Sequence, residues 1–237
     1  KFAVCTKAGQ TQDAARIDRR LALEAARFGD LLPLPCEEGY GRGRLTKKLL
    51  MALRCYLLTF DKADLFMKTD DDTFVAWSRL FPLVVREWRS YQGGLYMGVL
   101  YNRTPFISRD PLDPFYEPWD VYSKFDYPKS AAGGPGYILG SELVRGALRE
   151  HVAERNLLWN EDKAVAVWVD ELLCQYGYRV GYRKVPGTDG YRRRIAYGSW
   201  REYPHMLHHG LSGESIACLQ RVEAAGNLDA FVDSCLQ

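Results

Sequence analysis

The alternation of short apolar runs with helix-period segments is the strongest constraint that this sequence places on its fold. Phe2–Thr6 has the composition of a strand, and apolar residues then recur every three or four positions over Thr11–Phe28, which predicts an amphipathic helix. A second apolar run begins at Leu31, a second helical face begins at Leu45, and a third run covers Leu65–Met67. This order predicts an α/β protein with a mostly parallel, mixed sheet that is covered by helices on both faces.

The middle of the chain breaks this alternation. After a predicted strand over Leu95–Tyr101, residues 102–136 carry six of the eleven prolines and many aromatic residues. An aperiodic stretch of this length is typical of functional surface or of disorder, and its aromatic content argues against disorder. We then expect a strand over Tyr137–Leu139, a helix capped by Ser141, and a largely buried helix that begins at Asn160.

Length and charge narrow the range of functions. At about 150 residues per domain the chain corresponds to roughly 1.6 domains, and we expect one domain over residues 1–237. The net charge of +2 argues against a general affinity for nucleic acid. No apolar run approaches the ~20 residues of a membrane helix, so contact with a membrane would require a segment outside this chain. Lys1 stands where a start methionine would be, as in a piece of a longer protein.

The six cysteines include no Cys-x-x-Cys pair, which argues against a zinc ribbon or a thioredoxin-type site. Their even number is compatible with disulfides in an oxidising compartment, but it is equally compatible with buried reduced thiols. The tripeptide Asn102-Arg103-Thr104 is a glycosylation sequon.

Three consecutive aspartates, Asp70 to Asp72, follow the third predicted strand. In an open α/β sheet, ligands bind beyond the carboxyl ends of the strands. Alternate residues of an extended segment point to the same side, so Asp70 and Asp72 together would suit a hard divalent cation that also holds phosphate oxygens. The alternative is a solvated acidic turn that precedes the helix near Trp77.

Lys68 to Val75 resembles the Lys-x-Asp-Asp-Asp-x-Phe-Val signature of glycosyltransferase family 31, the β-1,3-glycosyltransferases with a GT-A fold. Further segments resemble motifs of this family in the same order: Phe28–Leu32, Leu45–Lys48, Gly133–Leu139, Glu161-Asp162 and His208-His209. Lys1–Val4 together with Ala26–Leu32 is most similar to the galactosyltransferase members. The family has an earlier strand that would precede Lys1, so we expect this chain to lack it. Lys163 stands where the family prefers valine.

The resemblance implies an inverting transferase that moves a sugar, most simply galactose, from a UDP-sugar donor to a hydroxyl of an acceptor glycan or glycoprotein in the Golgi lumen. It implies Mn²⁺ as the cofactor, because a divalent cation neutralises the charge that develops on a diphosphate leaving group. Asp72, Asp70 and His209 would bind the metal, with His208 as the alternative to His209. Asp162 would be the general base. The implied contacts to the donor are Lys48, Lys68, Asp70, Asp71, Gly133, Gly134, Tyr137 and Glu161.

Two other functions compete with this one. A non-catalytic relative of the family could act as a chaperone or as a carbohydrate-binding module, but known relatives of that kind tend to lose the acidic motif. A metal-dependent phosphohydrolase also uses clustered aspartates, but it needs further closely spaced acidic ligands. Elsewhere in the sequence, Glu161-Asp162 and Asp170-Glu171 are candidate pairs.

Overall fold

The computed structural model describes residues 1–6, 12–102, 107–185, 207–228 and 234–235. Helices and strands alternate along these residues, and the predicted α/β class is confirmed. In chain order the elements are β1 (Phe2–Thr6), α1 (Gln12–Phe28), β2 (Leu31–Glu37), α2 (Arg44–Thr59), β3 (Leu65–Lys68), β4 (Phe74–Val75), α3 (Trp77–Tyr91), β5 (Leu95–Gly98), β6 (Leu100–Tyr101), β7 (Ser130–Ala131), β8 (Tyr137–Gly140), α4 (Ser141–Arg149), α5 (Val152–Arg155), α6 (Glu161–Tyr176), β9 (Gly181–Lys184), β10 (Leu207–His208) and α7 (Gly213–Ala224).

Residue contacts divide the chain into two units, and the one domain expected over residues 1–237 stays a prediction. The first unit comprises three segments of the chain, Lys1–Ala63, Arg103–Pro128 and Arg145–Leu172. The second unit comprises the other three, Asp64–Asn102, Lys129–Val144 and Leu173–Gln237.

In the first unit, β1 and β2 form a parallel pair in which Cys5 lies opposite Leu34. Both side chains are buried and pack with Ala52 of α2 in a small apolar core. The helical face predicted from Leu45 onward is the buried face of α2, and full burial of a leucine stabilises the fold by about 1.5–3 kcal/mol. The buried hydroxyl of Thr46 donates a hydrogen bond to the carbonyl oxygen of Leu158 at 2.6 Å.

In the second unit, a four-stranded sheet has the order β3-β8-β5-β9. The strand β8 is antiparallel to both of its neighbours, and β5 is parallel to β9. The apolar face of α3 packs with residues of this sheet in one cluster: Leu80, Leu83, Val84, Leu95, Met97 and Ile138. This packing fixes the carboxyl end of β3, from which the aspartate run begins.

The sheet contains less parallel pairing than the sequence led us to expect. Among the described strands, two pairs are parallel and four are antiparallel. A parallel neighbour is normally reached through a helical crossover. The described part of residues 102–136 contains no helix, and β8, which follows it, enters the sheet antiparallel. The strand predicted over Leu95–Tyr101 is two strands, β5 and β6, because the chain bends at Val99.

Four of the six cysteines form disulfides, Cys5 with Cys36 and Cys218 with Cys235. Because disulfides persist in oxidising compartments, this pairing favours that alternative over buried reduced thiols for these four residues. Of the sequon, Arg103 and Thr104 lie outside the described residues. Within the described part of the chain, no helix combines the length and the apolar character that crossing a membrane requires.

Candidate metal centre and candidate general base

The aspartate run lies in a tight turn between β3 and β4, in the second unit. The backbone N–H of Thr73 donates to the carbonyl oxygen of Asp70 at 3.3 Å and closes the turn. The N–H of Asp70 donates to the carbonyl oxygen of Gly134, also at 3.3 Å, and ties the turn to the glycine-rich segment. Asp71 is exposed, whereas Asp70 and Asp72 are partly shielded from solvent. The two alternate aspartates therefore differ from the middle one, as the sequence predicts.

A short antiparallel ladder brings the late histidines to this turn. Strand β10 pairs with β4, and His208 lies opposite Phe74. One residue further along the ladder, Nδ1 of His209 lies 3.1 Å from Oγ1 of Thr73. The N–H of Leu211 then donates to the carbonyl oxygen of Asp72 at 3.0 Å. Successive residues of a strand point to opposite sides, so His208 is buried in the ladder while His209 faces the aspartates.

Asp70, Asp72 and His209 form the candidate metal centre. Each offers one ligand atom, and the three atoms lie within 4.8 Å of one another. Oδ1 of Asp72 is shielded from solvent and lies 2.8 Å from Nδ1 of His209. Two carboxylate oxygens with one imidazole nitrogen suit Mn²⁺, whereas Ca²⁺ prefers oxygen ligands alone. The donor set therefore fits the predicted cofactor, and it contains His209 rather than His208.

The glycine-rich segment packs against this centre. A Cβ atom on Gly134 would lie 2.4 Å from Nε2 of His209, so only glycine leaves room for the imidazole ring in this position. The carbonyl oxygen of Gly134 accepts a hydrogen bond from the hydroxyl of Thr73 at 2.9 Å. Nζ of Lys68 donates to Oδ1 of Asp70 at 2.5 Å and to the carbonyl oxygen of Gly133 at 3.0 Å. Lys68 and Gly134 thus contact the metal centre directly, and Gly133 contacts it through Lys68.

Tyr137, another predicted donor contact, is a buried residue of β8. Its ring makes an edge contact with the ring of Tyr96, with the ring centroids 6.3 Å apart, and its register partner on β3 is Lys68. The structure therefore gives the side chain a packing role next to the strand that ends at the aspartates. Contact with the donor stays a prediction.

The candidate general base lies in the first unit, in the first turn of α6. The carbonyl oxygen of Asn160 accepts the N–H of Ala164 at 2.9 Å, so the helix begins where the sequence predicts. The Asp162 side chain is 24% exposed, and Nζ of Lys163 lies 3.6 Å from its Oδ2. Glu161 is buried. Asp162 is thus the carboxylate of this pair that an incoming hydroxyl can reach.

Sequence reasoning missed Glu117, whose side chain is fully buried in the same unit. Its Oε1 accepts the N–H of Trp159 at 2.8 Å. Its Oε2 accepts the N–H and the side-chain amide of Asn160 at 3.1 and 3.0 Å, and the hydroxyl of Tyr127 at 3.2 Å. A lone glutamate in a proline-rich and aromatic segment gives no periodic signal. Its proximity to the start of α6 follows only from the folded structure.

Lys48, a predicted donor contact on α2, is held by Glu38 in the first unit. Its Nζ donates to Oε1 of Glu38 at 2.7 Å, and the same oxygen accepts the N–H of Cys5 at 2.8 Å. Burial raises the pKa of Glu38, but these hydrogen bonds outweigh burial and leave the pKa below its ordinary value. Lys48 therefore has a structural partner, and its contact with a donor stays a prediction.

Comparison with known proteins shows the family of this chain. The sequence model of the family described as Galactosyltransferase matches residues 8–177, well over half of the chain. The chain therefore belongs to this family, which is glycosyltransferase family 31. The match includes the aspartate run, the glycine-rich segment and Asp162, whereas His209 lies beyond it.

Curated relatives from Arabidopsis thaliana carry matching names. The chain is 28% identical to the β-1,3-galactosyltransferase GALT1 over 84% of its own length and 28% of that protein. It is 32% identical to the hydroxyproline O-galactosyltransferase GALT5 over 65% of the chain and 22% of that protein. It is 29% identical to the probable β-1,3-galactosyltransferase 12 over 68% of the chain and 41% of that protein. The chain thus spans well under half the length of each of these relatives.

Proposed function

We propose that this chain is the catalytic domain of a galactosyltransferase that moves galactose from UDP-galactose to a hydroxyl of a glycan or glycoprotein, with inversion at the anomeric carbon. The observation that carries this proposal is the convergence of Asp70, Asp72 and His209 beside the glycine-rich segment of a family 31 chain. The names of the relatives support galactose as the sugar, and either a β-1,3 linkage as the bond formed or a hydroxyproline hydroxyl as the acceptor.

On the donor side, Asp70, Asp72 and His209 would hold a divalent cation, and Mn²⁺ fits their mixed oxygen and nitrogen atoms. When bound, the cation neutralises negative charge that develops on the departing diphosphate. The ammonium group of Lys68, held by Asp70 and by the carbonyl oxygen of Gly133, adds a fixed positive charge to the same place. Gly133 and Gly134 allow the backbone to approach the transferred sugar, where a Cβ atom would obstruct it.

On the acceptor side, Asp162 takes the proton of the acceptor hydroxyl. The oxygen then forms its bond to the anomeric carbon while the bond from that carbon to the UDP oxygen breaks, and UDP leaves with the electron pair. A base must be within hydrogen-bond reach of the proton that it removes, and the part-exposed carboxylate of Asp162 meets this need from the protein side. Displacement in one step inverts the configuration.

We further propose that the enzyme works in the Golgi lumen, tethered there by a segment outside this chain. Two disulfides support an oxidising, secretory compartment. The net charge of +2 supports a carbohydrate or glycoprotein partner rather than nucleic acid.

The test measures UDP release from UDP-galactose, UDP-N-acetylglucosamine and UDP-glucose, with Mn²⁺ or with EDTA, in the presence and absence of β-galactoside, β-xyloside and hydroxyproline-peptide acceptors. We expect release that needs UDP-galactose, an acceptor and the metal. Saturable glycan binding without turnover would instead indicate a binding module. Phosphate release without an acceptor would indicate a phosphohydrolase.

Two substitutions separate the proposed metal centre from the proposed general base. Asp162→Asn should abolish transfer and leave metal-dependent UDP binding close to that of the wild type, whereas Asp72→Ala should lose both. Asp61→Ala, which removes an exposed carboxylate of the turn after α2, is the matched control and should change neither. If Asp72→Ala kept Mn²⁺-dependent binding of UDP, the assignment of Asp72 as a metal ligand would be wrong.

A further inference from the structure

The start of α6 is held by a buried carboxylate from a distant part of the sequence. Four donors meet at Glu117: the N–H groups of Trp159 and Asn160, the Asn160 amide and the Tyr127 hydroxyl. Four donors match the acceptor capacity of one ionised carboxylate. Three of them come from the two residues directly before the first turn of α6, which carries Asp162.

The segment that carries Glu117 is itself fixed. The guanidinium of Arg109 donates to the backbone carbonyl oxygens of Glu117, Tyr122 and Lys124, and it lies over the ring of Trp119 at 3.9 Å from the ring centroid. One arginine thus joins three points of an irregular loop. Because that loop is anchored, Glu117 presents its carboxylate to the start of α6 from a fixed position.

A second connection runs from Glu117 to Asp162 through side chains. The ring of Tyr127, whose hydroxyl donates to Glu117, stacks on Tyr122 with the centroids 5.1 Å apart. Nζ of Lys163 lies 5.9 Å from the centroid of the Tyr127 ring and 3.6 Å from Oδ2 of Asp162. Burial and then the negative charge of Glu117 raise the pKa of Tyr127, so its hydroxyl remains a donor at neutral pH.

We infer that Glu117 is a positioning residue for the reaction, which holds the backbone of residues 159–160, and through it Asp162, in the orientation that proton removal requires. This inference rests on the proposed role of Asp162 as the base. Glu117 is fully buried and acts through Asp162 rather than on the substrate. Misplacement of a reacting group by about 1 Å can lower a rate by about 100-fold, so a positioning residue of this kind affects kcat directly.

The test uses Glu117→Gln, which keeps the shape of the side chain but replaces one acceptor oxygen with a donor amide. We expect kcat to fall by about 10- to 100-fold. The KM for UDP-galactose and the Mn²⁺-dependent affinity for UDP should stay at their wild-type values. Deuterium uptake should rise in peptides that cover residues 157–165 and stay unchanged in those that cover residues 95–98.

Tyr127→Phe removes one of the four hydrogen bonds and keeps the stacked ring, so it tests the same inference if Glu117→Gln fails to fold. It should lower kcat by about 2- to 10-fold with the same unchanged KM. The matched control is Asp120→Asn, which removes an exposed carboxylate three residues from Glu117 and should leave kcat within about 2-fold of the wild type.

The outcomes separate this inference from the proposed function. Unchanged exchange over residues 157–165 in Glu117→Gln, or faster exchange with wild-type kcat, would overturn the inference. If the wild-type chain transfers no sugar at all, the proposed function fails. The exchange measurement then still decides whether Glu117 holds the start of α6.

Discussion

Replacing Gly134 by alanine adds one atom, Cβ, next to His209 and so tests whether His209 is a ligand of the candidate metal centre. Gly134 does not adopt the left-handed backbone conformation, so alanine fits the backbone there. The new Cβ would lie 2.4 Å from Nε2 of His209 and 2.7 Å from both Cδ2 and Cε1, whereas ordinary contacts begin at 3.4 Å. The imidazole ring must therefore retreat by about 1 Å, because packed atoms do not interpenetrate.

A retreat of this size removes His209 from the ligand set, since metal–ligand distances tolerate only about 0.2 Å. Loss of a well-placed ligand or its support weakens metal binding by about 10- to 100-fold, or about 1.4–2.8 kcal/mol. The fold should change less. The bonds that tie Gly134 to the aspartate turn use its carbonyl oxygen, which alanine keeps.

The assay is Mn²⁺ binding, followed by the electron paramagnetic resonance signal of the free ion, without nucleotide and with UDP. Gly213→Ala is the matched control, because a Cβ on this first residue of α7 has no atom within 4 Å. The double variant Gly134→Ala/His209→Ala should bind Mn²⁺ no more weakly than His209→Ala alone, since the clash needs the ring. Wild-type Mn²⁺ affinity in a folded Gly134→Ala variant would refute the assignment of His209 as a ligand.

Three further predictions concern stability in the first unit. Cys36→Ser should lower the free energy of unfolding by about 3–4 kcal/mol, because the disulfide to Cys5 closes a loop with a sequence separation of 31. Urea titration with and without reductant measures this change. In the variant, reductant should have no further effect through this bond. The lowered pKa of Glu38 contributes stability that is present above its ordinary value of 4.5 and is lost as the pH falls through the lower pKa of the folded state. Glu38→Gln should therefore make the unfolding midpoint less dependent on pH in the acid range. An unchanged dependence would show that the pair with Lys48 is not linked to folding. Thr46→Val keeps the volume of the side chain but leaves a buried carbonyl oxygen without its 2.6 Å donor, which should cost about 1–3 kcal/mol in the same titration, and a loss below the experimental error would contradict this account.

Periodicity predicted most of the fold. The elements from β1 to β3, and α6, lie where apolar spacing places them, and α2 and α6 bury long apolar stripes. The strands β4 and β10 have only two residues each, and such short segments carry no period. Their pairing joins parts of the chain that are far apart in sequence. The resemblance named His209 with His208 as its alternative, and the register of this ladder decides between them in favour of His209.

The sequence predicted those candidate site residues that stand together in a short motif. The aspartate run and Asp162 each stand in short segments whose residue types identify them. Glu117 could not be found in this way, because its four hydrogen-bond donors come from residues 127, 159 and 160. Gly134 illustrates the same limit. Its sequence context predicted a contact with the donor, and the structure adds close packing against the imidazole ring of His209.

The surroundings of the two acidic groups explain why similar side chains are suited to different chemistry. At the turn between β3 and β4, Asp70 contacts the ammonium group of Lys68 and Asp72 contacts the ring of His209, and a divalent cation would balance the remaining negative charge of the three adjacent aspartates. At the start of α6, Glu117 is satisfied by four hydrogen bonds and needs no ion. Asp162 is then the carboxylate that faces solvent there, with its Oδ2 3.6 Å from Nζ of Lys163. The loop over residues 107–127 thus holds, through Glu117, the start of the helix that carries the base we propose.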